Sequence, residues 1–329
     1  MVNRPHMQRL VERVRQLAPL PSAIVFPCER DALQLALSGA FAAYIAPTLV
    51  GPETRVRDVA NRYGLDISRL PIVDTPDEPR AAAERAVTLA RDGAVSALVR
   101  GSLSTEDMLA PVAASESGLR TDRRLSHAFF LDLPGQPRPM LLADAHLNVN
   151  PNLAAKRDIV HSTVLLAHAL GIDMPNVALL AALDGPSPAF PSTADAAALR
   201  SMGAQGMFGR ASVEGPFTPD TALVPEIARA AGIKSQVAGH ADVLIAPGME
   251  PAIMLLRALT GLTQGLAAGL VLGAKVPIVM PSRQDPMEVR MASCVLASLA
   301  SAATRAAATT SPQKHVAPAT VDALPRVAA

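Results

Sequence analysis

Within the first hundred residues, short apolar runs alternate with Ala- and Leu-rich stretches of helical spacing, with brief connections between them. Residues 1–22 read as a short amphipathic helix ending at Pro19 and Pro21. Strand-type runs follow at 22–27, 47–51, 70–74 and 96–100, separated by helical stretches at 29–44, 53–63 and 78–91. Connections this short join parallel strands through helices, so the pattern predicts an α/β fold with a mostly parallel sheet covered on both faces.

The pattern changes in the middle of the chain. Residues 126–132 and 139–144 are strand-like, and the turn composition Pro134-Gly-Gln-Pro-Arg-Pro139 lies between them with no helix. A second sheet is expected there, with a domain boundary near residue 136. Helix is expected at 152–170, stopped by Gly171, then at 194–202, 221–231 and 251–262. Strands are expected at 177–183, 212–215 and 242–246. Two apolar strands precede Ser282, and a helix from Pro286 to about Ala306 closes the fold. The remainder, rich in Ala, Thr, Pro and Ser, predicts a disordered tail over 307–329.

The most informative stretch is Val276-Pro-Ile-Val-Met-Pro-Ser-Arg-Gln-Asp-Pro-Met-Glu288. An apolar strand stops at Pro281, turns through Ser282 and Arg283, and opens a helix with Asp285 as cap and Pro286 at the first helical position. Hydroxyl, guanidinium and free backbone N–H groups at one point suit an anion. The same residues also describe a capped helix with a solvated arginine.

Composition removes several alternatives. Lys plus Arg number 30 against 29 for Asp plus Glu, so no basic field exists to hold a nucleic-acid backbone. Seven Phe, two Tyr and no Trp give few platforms for base stacking. Cys28 and Cys294 are far apart in apolar surroundings, which predicts reduced, buried thiols in a cytoplasmic protein. The segment Met1-Val-Asn-Arg-Pro-His6 has no apolar signal core. No stretch reads as a membrane span, because 261–281 is interrupted by Lys275, Gly and Pro.

Ligands of open α/β sheets gather beyond the carboxyl ends of strands. Here those ends carry Gly101-Ser-Leu-Ser-Thr105, Asp144, Glu214-Gly-Pro216, Gly239-His240, Pro247-Gly-Met-Glu250 and Ser282-Arg283. Ser104 or Thr105 can cap the following helix and equally cradle a phosphate. GxxxxGK[ST], GxGxxG and GxSxG are all missing, which argues against ATP hydrolysis, a standard dinucleotide fold and a serine hydrolase. No carboxylate cluster has magnesium spacing, so no metal is expected. His161 and His168 share a helix face and read as packing residues, whereas His127 at a strand start is a site candidate.

Taken in order, the strand-end motifs resemble the phosphate acetyl/butyryltransferase family. The segments that carry the resemblance are Val237-Ala-Gly-His-Ala-Asp-Val-Leu-Ile-Ala-Pro-Gly-Met-Glu250, then Gly273-Ala-Lys-Val-Pro-Ile-Val-Met-Pro-Ser-Arg283. Glu214-Gly-Pro-Phe-Thr-Pro-Asp-Thr-Ala-Leu-Val-Pro225 and Ser126-His-Ala-Phe-Phe130 add to it, and the similarity spans about residues 20–305. The resemblance implies two α/β domains with an inter-domain cleft, of the isocitrate/isopropylmalate dehydrogenase type. These would be 1–136 plus 285–306, and 137–284. It further implies a homodimer and a reversible reaction: acyl-CoA plus phosphate gives acyl phosphate plus CoA. No cofactor would be permanently bound, since CoA enters as a substrate.

Under this reading Ser282 stabilises the transition state and Asp285 or Glu288 is the base. Arg283, Ser104 and Thr105 bind phosphate, and Gly101, Gly239 and Glu250 contact CoA. Two positions depart from the acetyl branch. Val289 stands where that branch has an Asp seven residues after the serine, as in the butyryl type, and Ala110 stands before Pro111 where an Arg is expected. Arg120, Arg123 and Arg124 are candidates to replace that contact. The rival expectations are a non-catalytic subunit that binds CoA or acyl phosphate, and a metal- and NAD-dependent dehydrogenase on the same fold.

Overall fold

The computed structural model describes residues 4–310. The chain begins α1 (Pro5–Val14), β1 (Leu20–Val25), α2 (Arg30–Phe41), β2 (Ile45–Val50), α3 (Glu53–Arg62), β3 (Ile72–Val73), α4 (Pro79–Arg91), β4 (Ala97–Arg100), α5 (Thr105–Ala113). Pro5 stands at the start of α1, where its missing N–H leaves nothing unpaired, and Met7, Leu10 and Val14 form the buried stripe. Pro21, expected to end the preceding helix, lies inside β1. Pairing with β4 starts only at Ser22, so its missing N–H breaks no ladder bond on that side.

The antiparallel pair β5 (Ser126–Asp132) and β6 (Met140–Ala143) comes next. It is followed by α6 (Leu153–Ala169), β7 (Asn176–Leu180), α7 (Pro191–Ala204), β8 (Ser212–Phe217), α8 (Pro219–Leu223) and α9 (Pro225–Ala230). The chain continues with β9 (Val243–Ile245), α10 (Met249–Thr263), β10 (Leu266–Leu272), β11 (Ile278–Val279) and α11 (Met287–Thr310). The single helix expected at 221–231 is two, because Val224 before Pro225 is held extended at φ −115°, ψ 110°. The closing helix runs on to Thr310. The rest of the expected tail, 311–329, lies outside the described residues.

The expected second sheet does not form. All eleven named strands make one mixed sheet in the order β3-β2-β1-β4-β11-β10-β5-β6-β9-β7-β8. Two parallel blocks, β3-β2-β1-β4-β11 and β6-β9-β7-β8, are joined through β10 and β5. β10 pairs with β5 along its whole length, from Leu266 opposite Asp132 to Leu272 opposite Ser126, and touches β11 on its other edge. Alternation along β5 sends Ala128 and Phe130 into one core, with Val295 and Ile159. Phe129 and Leu131 enter a second core with Leu142, Leu244 and Leu256. The second face, covered by α10, carries the site. Among the described residues no helix is long and apolar enough to cross a membrane.

Candidate active site

Beyond β11 the chain makes the turn that the sequence suggests, with Asp285 folded back onto it. Its Oδ2 accepts the backbone N–H of Ser282 at 2.7 Å, and the N–H of Asp285 donates to the Ser282 carbonyl at 3.2 Å. The N–H of Gln284 donates to Ser282 Oγ at 3.3 Å. Arg290, buried one turn into α11, braces the loop. Its Nε donates to the Asp285 carbonyl at 2.9 Å, and Nη2 reaches the Arg283 carbonyl and Asp31 Oδ2, each at 3.2 Å. A buried cation is tolerable where carbonyls and a carboxylate take up its protons.

The end of β4 is tied to the same loop. Arg100 donates through Nη1 to Thr105 Oγ1 at 3.1 Å and through Nη2 to the Pro281 carbonyl. Burial pulls its pKa down against the opposing pull of Asp285, yet a guanidinium stays charged at neutral pH. Ser104 is the N-cap of α5: its Oγ accepts from the Asp107 N–H at 3.0 Å and donates to the Asp107 carboxylate at 2.7 Å. Gly101 is required by packing, since a Cβ there would stand 2.4 Å from the Val25 carbonyl.

These loops border a cavity of about 280 Å³, lined on its polar side by Arg100, Thr105, Ser282, Asp285, Arg257 and Thr260. Phe129, Leu147, Leu256, Ala267 and Met280 give it an apolar side. A second hollow of about 420 Å³ adjoins it and shares Arg100, Pro281 and Ser282. Gly101, Ser104 and Arg283 line that second hollow; the Arg283 side chain is 78% exposed and lies 3.5 Å from Glu29. Ser282 therefore stands on a ridge between two hollows, with Arg100 reaching both.

Other expected site residues are elsewhere. The Glu288 carboxylate pairs with Arg4 Nε at 2.9 Å in a groove between α1 and α11, because the helical turn carries it away from Asp285. Gly239 packs against Pro225, where a Cβ would come within 2.5 Å of backbone. Glu250 is exposed in the first turn of α10 and lines neither hollow. Arg120, Arg123 and Arg124 do share one hollow of about 490 Å³, which meets the Ser282 cavity at Leu147. Among the described residues no group of three His, Cys, Asp or Glu could hold a metal ion. Cys28 and Cys294 are buried free thiols, pushed up by burial to about 11 and about 12.

Three contributors escaped the sequence reading: Arg100, Arg290 and His146. The Asp144 carboxylate accepts the backbone N–H groups of His146 at 3.0 Å, Leu147 at 3.1 Å and Asn148 at 3.2 Å, which fixes the turn after β6. That turn sets His146 Nδ1 3.2 Å from Nδ1 of the buried His127. Burial pulls both imidazoles down, His127 strongly. The signals were present as Arg100 ending an apolar strand and as an Asp two residues before a His at another strand end.

A hydroxyl, guanidiniums and imidazoles thus surround one small cavity. Comparison with known proteins gives the family. The model described as phosphate acetyl/butaryl transferase matches residues 79–298. The chain is 44% identical over 299 residues to phosphate acetyltransferase of Rhizobium meliloti, covering 91% of this chain and 94% of that one. It is 33% identical over 298 residues to phosphate butyryltransferase of Clostridium acetobutylicum, covering 91% and 95%. The crystal structure of a branched-chain phosphotransacylase from Enterococcus faecalis V583 superposes with a TM-score of 0.74 at 26% identity, covering 86% of this chain and 99% of that one. The chain belongs to the phosphate acetyl/butyryltransferase family and is an acyltransferase.

Proposed function

We propose that this enzyme transfers a short acyl group reversibly between CoA and inorganic phosphate at the Ser282 ridge. The observation that carries the reading is the position of Ser282 between two hollows, with Arg100 bridging from Thr105 to the Pro281 carbonyl. Attack on a thioester or an acyl phosphate builds negative charge on the acyl oxygen. A hydroxyl held ready for that oxygen lowers the barrier, and guanidiniums hold the phosphoryl group as a planar fork. In this assignment Ser282 serves the oxyanion, while Arg100, Thr105 and Arg283 bind phosphate. Asp285 positions Ser282 through the backbone bond at 2.7 Å.

The apolar side of the cavity, at Phe129, Leu147, Leu256 and Ala267, takes the acyl chain, and its size favours short chains. The hollow at Arg120, Arg123 and Arg124 takes the phosphates of CoA. The reading retains two lobes, 1–136 plus 285–306 and 137–284, with β10 and β11 of the second lying between β4 and β5 of the first in the strand order. It also retains a homodimer, supported by exposed Met254 and Leu262 on α10 and testable by light scattering. A cytoplasmic setting agrees with the two unpaired buried thiols. The deciding assay is phosphate-dependent release of CoA from acetyl-, propionyl- and butyryl-CoA. Absence of release from all three overturns the reading.

A further inference from the structure

A buried polar nitrogen without a hydrogen bond is costly, and His127 has one. Its Nε2 is shut away from solvent and unpaired, while its Nδ1 faces His146 Nδ1 at 3.2 Å. A neutral imidazole carries a single N–H, so one ring of this pair must donate and the other accept. Both rings are held. His127 stacks on Phe129 at 4.5 Å, and a Cβ on Gly269 would come within 2.5 Å of its Nε2. His146 meets Phe129 edge-on at 5.1 Å, and its backbone is pinned by Asp144. With Nδ1 occupied, Nε2 is what His146 has left to offer the cavity it lines with Ser282 and Thr105.

We propose that His146 is the general base of the acyl transfer and that His127 is the residue that positions it. The proposal rests on the reaction given above. When acyl phosphate is consumed, the CoA thiol passes its proton to His146 Nε2, and the sulfur forms the C–S bond. The C–O bond to phosphate then breaks, and phosphate departs with the bonding pair. In the opposite direction a phosphate oxygen forms the C–O bond, the C–S bond breaks, and the proton on His146 goes to the departing thiolate. Protonated His146 donates through Nδ1 to His127 Nδ1, and burial keeps His127 neutral and able to accept. The nearby carboxylates are otherwise engaged, Asp285 with the Ser282 N–H and Glu288 with Arg4. Besides His127, the charged groups facing His146 are Asp144 on its own turn, Arg100 at the end of β4, Arg257 on α10 and Asp285 before α11.

The test compares wild type with His146→Ala in the acetyl phosphate plus CoA direction. At pH 7 the variant should lose about a hundred- to ten-thousandfold in kcat, the range for one acid–base group, with little change in KM for CoA. The deficit should shrink as pH rises toward the pKa of the CoA thiol, where the thiolate forms without a base. Added imidazole should restore part of the rate. His127→Leu should show the same narrowing with pH, and retained CoA binding in calorimetry shows that each variant is folded. A folded His146→Ala variant with near wild-type kcat, or with a deficit constant across pH and no imidazole rescue, overturns the proposal alone. An inactive wild type overturns the reaction reading and this proposal with it.

Discussion

The Asp285 carboxylate lies 2.7 Å from the backbone N–H of Ser282, three residues earlier in the chain. That bond commits the carboxylate to shaping the turn. Asp285→Asn keeps an acceptor in place and should retain turnover within about threefold, whereas Asp285→Ala should lose about a hundredfold through misplacement of the hydroxyl. Ser282→Ala should lose about ten- to a thousandfold in kcat, the range for one oxyanion donor. Steady-state kinetics with acetyl- and butyryl-CoA check all three. A large loss in Asp285→Asn would show that the carboxylate itself takes the proton.

Arg100 holds two loops with two separate N–H groups, a geometry that an ammonium cannot reproduce. Arg100→Lys should therefore raise the KM for phosphate and lower kcat/KM about tenfold or more, an effect on the order of 1.4 kcal/mol. Phosphate titrations at fixed acyl-CoA measure it, and an unchanged KM would remove Arg100 from the phosphate site.

Gly269 leaves room for two rings. A methyl group there would stand 2.5 Å from His127 Nε2 and 2.9 Å from Phe129 Cε1. Gly269→Ala should cost about 1–3 kcal/mol in urea unfolding, as overpacked cores do, and should lower activity by tilting the His127–His146 pair.

The lowered imidazoles make stability depend on pH in one direction. His127, His146 and His161 all hold protons less readily in the folded chain, each chiefly because of burial. Below the ordinary histidine pKa of about 6.5 the unfolded chain binds protons that the folded chain refuses, so unfolding gains. The unfolding midpoint should fall as pH drops from 6.5 toward 5, and these groups should contribute no slope above pH 7. His127→Gln should flatten the acid side of the curve.

Several local signals are legible in the sequence, although the break at Val224-Pro225 is not among them. The strand over 126–132 was read with the limits it has, and Asn152 caps α6 by accepting the Ala155 N–H at 2.9 Å. The turn at Ser282 was readable because Pro281, Asp285 and Pro286 each restrict the backbone. Non-local pairing was not legible. Nothing in residues 266–272 says that this run lies between β5 and β11, and without that bridge two sheets were expected. Glu288 lies three positions after Asp285 in sequence, but the helix aims it at Arg4. His146 was missed because its value lies in a partner nineteen residues earlier.

The strand that leads into Ser282 is the last of the eleven in the chain, yet it slots between β4 and β10 in the middle of the sheet. A ribosome must therefore release almost the whole described chain before either half can lose its raw edge. Until then β4 and β10 each keep an unpaired edge, open to the wrong neighbour. Acyl transfer should thus be a readout of completed assembly, since a truncation that removes the final strand and helix also removes Ser282 and Asp285.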